Sequence, residues 1–153
     1  LSPKWEISKI KPIYQIFAEV GRSGLSEKQR VEALKQYNHP VVKGIFYIMF
    51  DQRVECNIAA DLLENVPYKP ATDNERMMLY SEARRLKLFQ KGLSPFKDGD
   101  RFHEKKKQMC FIETLEVIHP EDAKLVIAMF RHECPYPDIT KKVVAKAFPD
   151  LGL

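Results

Sequence analysis

An all-α fold follows from three features of the 153-residue chain. Apolar residues recur at helical spacing, as in Ile13, Ile16, Phe17 and Val20 at i, i+3, i+4 and i+7. A hydroxyl residue followed three positions later by Gln or Glu marks helix starts at Ser26/Gln29 and Thr72/Glu75. No two alternating segments are joined by hairpin-turn residues. The expectation is a compact single-domain bundle of six to seven helices over residues 1–153, with an irregular segment at 51–71. A chain of this length buries roughly two-thirds of its unfolded surface, so its core needs neither disulfide nor metal.

The first helix opens at Pro12, where a fixed φ and a missing N–H cost little, and Gly21 and Gly24 stop it. The second runs from Ser26 and carries Val31, Leu34 and Tyr37 until Asn38-His39-Pro40 breaks it. The third holds Val41, Val42, Ile45, Phe46, Ile48, Met49 and Phe50, apolar almost all round, which predicts a central position. Val54, Cys56 and Ile58 then alternate like a short strand, and Asp61–Asn65 reads as a helical turn. Pro67 and Pro70 extend the chain beyond it. From Thr72 a long helix is expected to run to Lys91 and end at Gly92, with Leu79, Ala83, Leu86 and Phe89 or Gln90 inward.

Another helix starts near Asp100 or Arg101 and buries Phe111, Leu115 and Ile118, with Ile112 beside them. His119-Pro120-Glu121-Asp122 restarts the chain as a helix whose first-turn acids suit the positive end of the dipole, and Leu125, Val126, Met129 and Phe130 form its apolar side. Cys134-Pro135-Tyr136-Pro137-Asp138 reads as extended. Thr140 caps a last helix, with Ile139 and Val144 as its staple.

The charge is unevenly distributed. Lys and Arg number 25 against 21 Asp and Glu, a net +4. Residues 1–50 carry +4, 51–75 carry −4, 76–107 carry +6 and 108–153 carry −2. The +6 stretch can attract an anionic partner, either phosphate backbone or an acidic protein face. Its candidate contacts are Arg84, Arg85, Lys87 and Lys91 on one helix and Arg101, Lys105, Lys106 and Lys107 on the next. Antiparallel packing of the two would join them into one patch, with Phe96 and Phe102 offering rings for base stacking. The plainer alternative is a solvated face with both rings in the core.

Other chemistries find less support. Cys56, Cys110 and Cys134 are widely spaced, which fits free thiols in a reducing compartment. His39, His103, His119 and His132 lack zinc-ligand spacing, and His39 and His119 each precede a proline, which points to helix capping. Gly21-Arg22-Ser23-Gly24 fits the nucleic-acid-clamping Gly-x-x-Gly loop of KH domains, yet the strands of that fold are missing and C-capping explains both glycines. Asp61/Glu64 and Glu113/Glu116 read as solvated acids. No phosphate-loop or dinucleotide fingerprint occurs. No catalytic residue, metal site or cofactor is expected. No apolar run approaches the ~20 residues of a membrane span, so no membrane partner is expected. Leu1-Ser2-Pro3-Lys4-Trp5 shows no signal segment, and the absent initiator Met points to processing or trimming.

Two stretches, Phe111 to Met129 and Pro135 to Leu151, together with Ile13-Tyr14-Gln15-Ile16-Phe17, resemble a family of small proteins encoded by T-even-like tailed phages, including cyanophages. The likeness is close over about the last 45 residues and loose over the first 100. Where the family typically has Gly after its Pro-Tyr segment, this chain has Pro137-Asp138. The resemblance implies a phage origin and expression in a bacterial host's cytoplasm, and it carries over no catalytic residue. The functional expectation is therefore a non-enzymatic phage accessory protein that binds nucleic acid or an acidic phage or host protein through its basic helices. The alternative is a head, neck or tail component of the virion.

Overall fold

The computed structural model describes residues 11–72, 78–96 and 100–153. Among them the fold is all-α: α1 (Ile13–Val20), α2 (Glu27–Lys35), α3 (Pro40–Phe50), α4 (Ala60–Glu64), α5 (Leu79–Glu82), α6 (Arg101–Val117), α7 (Pro120–Phe130) and α8 (Lys141–Ala147). Two 3-10 helices, Ala83–Phe89 and Pro149–Leu151, complete it. The eighth helix is the short α4, where only a helical turn was expected, and α5 lies within the span expected for the long helix from Thr72.

Local signals set most boundaries. Ser26 Oγ accepts from the Gln29 N–H at 3.1 Å and Gln29 Oε1 accepts from the Ser26 N–H at 2.9 Å, a complete capping box. Thr140 caps α8 through the Val143 N–H. Asp100 caps α6 through the amides of Phe102 and His103. Between α1 and α2 the buried Arg30 guanidinium donates to the carbonyls of Val20, Arg22 and Leu25, at 2.5, 2.9 and 3.0 Å. It satisfies carbonyls that the helix end and turn leave without partners.

The core is one continuous cluster. α3 lies at its centre against α7, while α8 packs on α2. Phe17 stacks on Phe46 at 4.5 Å, and Phe89, Phe111 and Phe130 meet edge to face at 5.1 to 6.2 Å. Every apolar residue of the first predicted stripe is fully buried.

Three expectations change. The long helix expected from Thr72 to Lys91 is not continuous: Met78 is extended, the chain is α-helical for one turn from Leu79 and becomes 3-10 from Ala83. Ala83, Leu86 and Phe89 recur every third residue, a row that a 3-10 helix keeps in line and an α-helix lets drift by about 60° per step across a broader face. The proposed cap at Thr72/Glu75 depends on Glu75, outside the described residues. The strand-like run at 54–58 makes only a single antiparallel bridge, Cys56 to Gln90. It is flanked by the Asn57 N–H to Phe89 O and the Lys91 N–H to Glu55 O, both at 2.9 Å. The segment after Cys134 is not extended throughout, because the Ile139 N–H closes a turn on Tyr136 O with Pro137 and Asp138 inside it. Pro is favoured at that second turn position.

Candidate anion-binding surface

The eight candidate residues, out of ten basic side chains in the +6 stretch, divide by what they touch. Three are neutralised within the chain. Arg85 Nε lies 3.1 Å from Glu82, Lys91 Nζ lies 3.4 Å from Glu55, and Lys107 Nζ lies 2.6 Å from Glu104. Lys107 corrects the sequence expectation outright, since only 2% of its side chain is exposed. Three consecutive helical lysines span about 200° of the helix circumference. Lys107 sits four residues before the buried Phe111, so its stem joins the inward row of Phe111, Leu115 and Ile118.

Arg84, Lys87, Arg101, Lys105 and Lys106 are exposed, and among the described residues none has an acidic partner. They occupy two places. Arg101, Lys105 and Lys106 lie on the solvent face of α6 with Phe102 and Met109, which are 64% and 60% exposed. Spacings of three and four residues put Phe102, Lys105, Lys106 and Met109 on one face. Lys106 Nζ stands 4.8 Å above the Phe102 ring. Phe96, the other candidate ring, is half-buried, with its ring 6.1 Å from His103. The outcome is a mixed aromatic and cationic stripe, with Phe102 presented and Phe96 largely withdrawn.

The second place is a groove of about 350 Å³ between α3 and the 3-10 helix. Its floor is Val41, Gly44 and Ile48 on α3 with Leu86 opposite, and Arg84 and Lys87 stand on its bank. In a 3-10 helix residues three apart eclipse, so Arg84 and Lys87 form one row and Ala83, Leu86 and Phe89 another. The sequence reading named both cations and missed the groove, because it gave the segment α-helical geometry. A signal was present in Gly44, a lone glycine inside an apolar helix, where Gly costs about 1 kcal/mol against Ala.

The remaining candidates have structural roles. His39 Nδ1 accepts from the Val41 N–H at 3.1 Å and His119 Nδ1 from the Glu121 N–H at 3.0 Å, so both cap helices as their prolines implied. Gly21 of the Gly-x-x-Gly loop lies under Tyr136, whose ring atoms would be within 2.7 Å of any Cβ there. Burial pushes the Cys56 thiol up to about 11 and also raises that of Cys134, which disfavours thiolate at neutral pH. Among the described residues no three His, Cys, Asp or Glu side chains gather as a metal site. No described helix is long and apolar enough to cross a membrane.

Residues 19–134 match the model of a family of unknown function, DUF6433. The chain belongs to that family. The match takes in the α6 stripe and the groove, and leaves α8 outside. No curated protein and no solved structure matches the chain.

Proposed function

We propose that the chain is a non-enzymatic accessory protein of a tailed phage, working in the bacterial cytoplasm, that binds single-stranded nucleic acid through the solvent face of α6. The observation that carries this reading is the exposure of Phe102 among Arg101, Lys105 and Lys106, none paired with an acid among the described residues. An unpaired cation gives up no internal ion pair when it meets a phosphate, and an exposed ring is the platform on which a base stacks irrespective of its identity. Phage origin rests on the sequence resemblance alone.

Fluorescence anisotropy with a labelled single-stranded oligonucleotide across a salt series tests the reading. Log affinity should fall linearly with log salt, with a slope near −2 if the three cations each release about 0.7 counterion. Replacing Lys105 or Lys106 by Ala should reduce the slope by about 0.7. Phe102→Ala should cost roughly 1–3 kcal/mol of affinity and leave the slope unchanged. Absent or salt-insensitive binding refutes the reading. Duplex DNA bound as tightly as single strands refutes the stacking part.

A further inference from the structure

We propose that the groove between α3 and the 3-10 helix docks an amphipathic helix of a protein partner, carrying carboxylates at i and i+4 beside an apolar stripe. Gly44 lies in the apolar floor of this groove. Each other glycine among the described residues has a reason inside this chain. Gly21 makes room for the Tyr136 ring, and Gly24, Gly92 and Gly152 adopt φ of +89°, +86° and +69°, which L side chains rarely adopt. Gly44 has neither. Its φ is not positive, and a Cβ built there meets nothing within 4 Å. Helix propensity alone would replace it with almost any other residue, since it lies inside the eleven-residue α3. A bare backbone in a helix interior that no internal contact requires is what close approach by another backbone needs.

The surroundings specify the approaching chain. Val41, Gly44 and Ile48 lie along one row of α3, so the floor is apolar and recessed at its middle. The opposite bank presents Arg84 and Lys87 eclipsed, one above the other, about 6 Å apart along the 3-10 axis. Residues four apart on an α-helix also rise about 6 Å. A partner helix in the groove therefore brings two carboxylates spaced i, i+4 to the two cations while its apolar stripe covers the floor, a helix-in-groove mode. Both cations are exposed and without an acidic partner among the described residues, so the positive charge of the bank is available to an acidic chain. This docking stands apart from nucleic-acid binding on α6, and neither needs the other.

Selection from a displayed library of Ala-rich helical peptides with randomised surface positions, against the full chain, tests it. The enriched peptides should share Asp or Glu at i and i+4 next to Leu, Ile or Met. Their affinity should fall at least tenfold on Gly44→Leu, which fills the floor, and on the double change Arg84→Glu, Lys87→Glu. Gly44→Leu and Gly44→Ala should melt at or above the wild-type temperature, so lost binding reports the groove and not unfolding. Oligonucleotide binding should be unchanged in Gly44→Leu and weakened, with a shallower salt slope, in the double change Lys105→Ala, Lys106→Ala, which separates the two surfaces. The proposal is overturned if nothing enriches, if the enriched peptides are basic or uncharged, or if they bind Gly44→Leu as well as wild type. It is equally overturned if Gly44→Leu abolishes self-association of the chain or oligonucleotide binding, since the occupant is then a second copy or a nucleic acid.

Discussion

His39 and His119 stand one residue before the prolines that begin α3 and α7, and each uses Nδ1 as the acceptor that Ser, Asp or Asn usually supplies at a helix start. That role requires the neutral ring with its hydrogen on Nε2, because a protonated Nδ1 donates and faces another donor. Burial lowers the pKa of His39, whose ring meets Tyr80 edge-on at 4.9 Å. A histidine whose folded-state pKa lies below its unfolded value of about 6.5 binds fewer protons folded than unfolded. Its contribution is fully present above about pH 6.5 and is lost as the pH falls through the folded pKa. His39→Asn keeps a cap acceptor and removes the titration. Urea unfolding at pH 7.5 should find it within about 0.5 kcal/mol of wild type, with His39→Ala about 1 kcal/mol below. Between pH 7 and pH 5 the Asn variant should lose less stability than wild type, while His119 contributes equally to both. Equal losses would refute the assignment of that pH dependence to His39.

At the scale of elements, α6 gives a sharp contrast among three neighbouring lysines. Lys105 and Lys106 are exposed, while Lys107 is inside with its ammonium on Glu104, itself 35% exposed. Lys105→Ala should change stability by less than about 0.5 kcal/mol, as expected of a surface site. Lys107→Ala should cost about 1–3 kcal/mol, chiefly lost packing of the stem. Lys107→Met should lie within about 1 kcal/mol of wild type, because an apolar side chain of similar volume replaces a buried ion pair at little cost. Chemical denaturation of the three variants measures this, and a harmless Lys107→Ala would show that the stem carries no packing. The position was legible in principle, since Lys107 lies at i−4 from Phe111. The Ser26/Gln29 capping box, the apolar stripes and the two His-Pro starts were legible because each is written within a few residues. The 3-10 helix was not, because Ala83, Leu86 and Phe89 also fit an α-helical stripe and only the tertiary seat selects the tighter winding. The groove escaped with it. Its two banks are far apart in sequence, and the row that aligns Arg84 with Lys87 exists only in the 3-10 form.

For the whole molecule, the extent of the family match and the extent of the core differ. The matched residues, 19–134, exclude α1 up to Ala18 and all of α8. Yet Ile13, Ile16, Phe17, Ile139, Val143, Val144 and Phe148 are all at most 3% exposed, and Phe17 stacks directly on Phe46 of the central α3. The ion pairs of Glu27 with Lys142 and Lys146, at 3.7 and 3.2 Å, are exposed and contribute little to holding α8 on α2. Burial of large apolar side chains stabilises by roughly 1.5–3 kcal/mol each, so the seven residues outside the match contribute on the order of 10–20 kcal/mol as an upper estimate. Domains of this size have about 5–15 kcal/mol of net stability. A chain cut to residues 19–134 should therefore lose cooperative folding, and the full chain should unfold in one transition. Thermal melts followed by circular dichroism, together with amide dispersion in proton–nitrogen correlation spectra, distinguish the outcomes. A sigmoidal melt and dispersed amides from the shortened chain would make the matched segment a self-sufficient core. Collapsed dispersion would show that α1 and α8 belong to the folding unit, and that the α6 stripe and the groove exist only while both ends are docked.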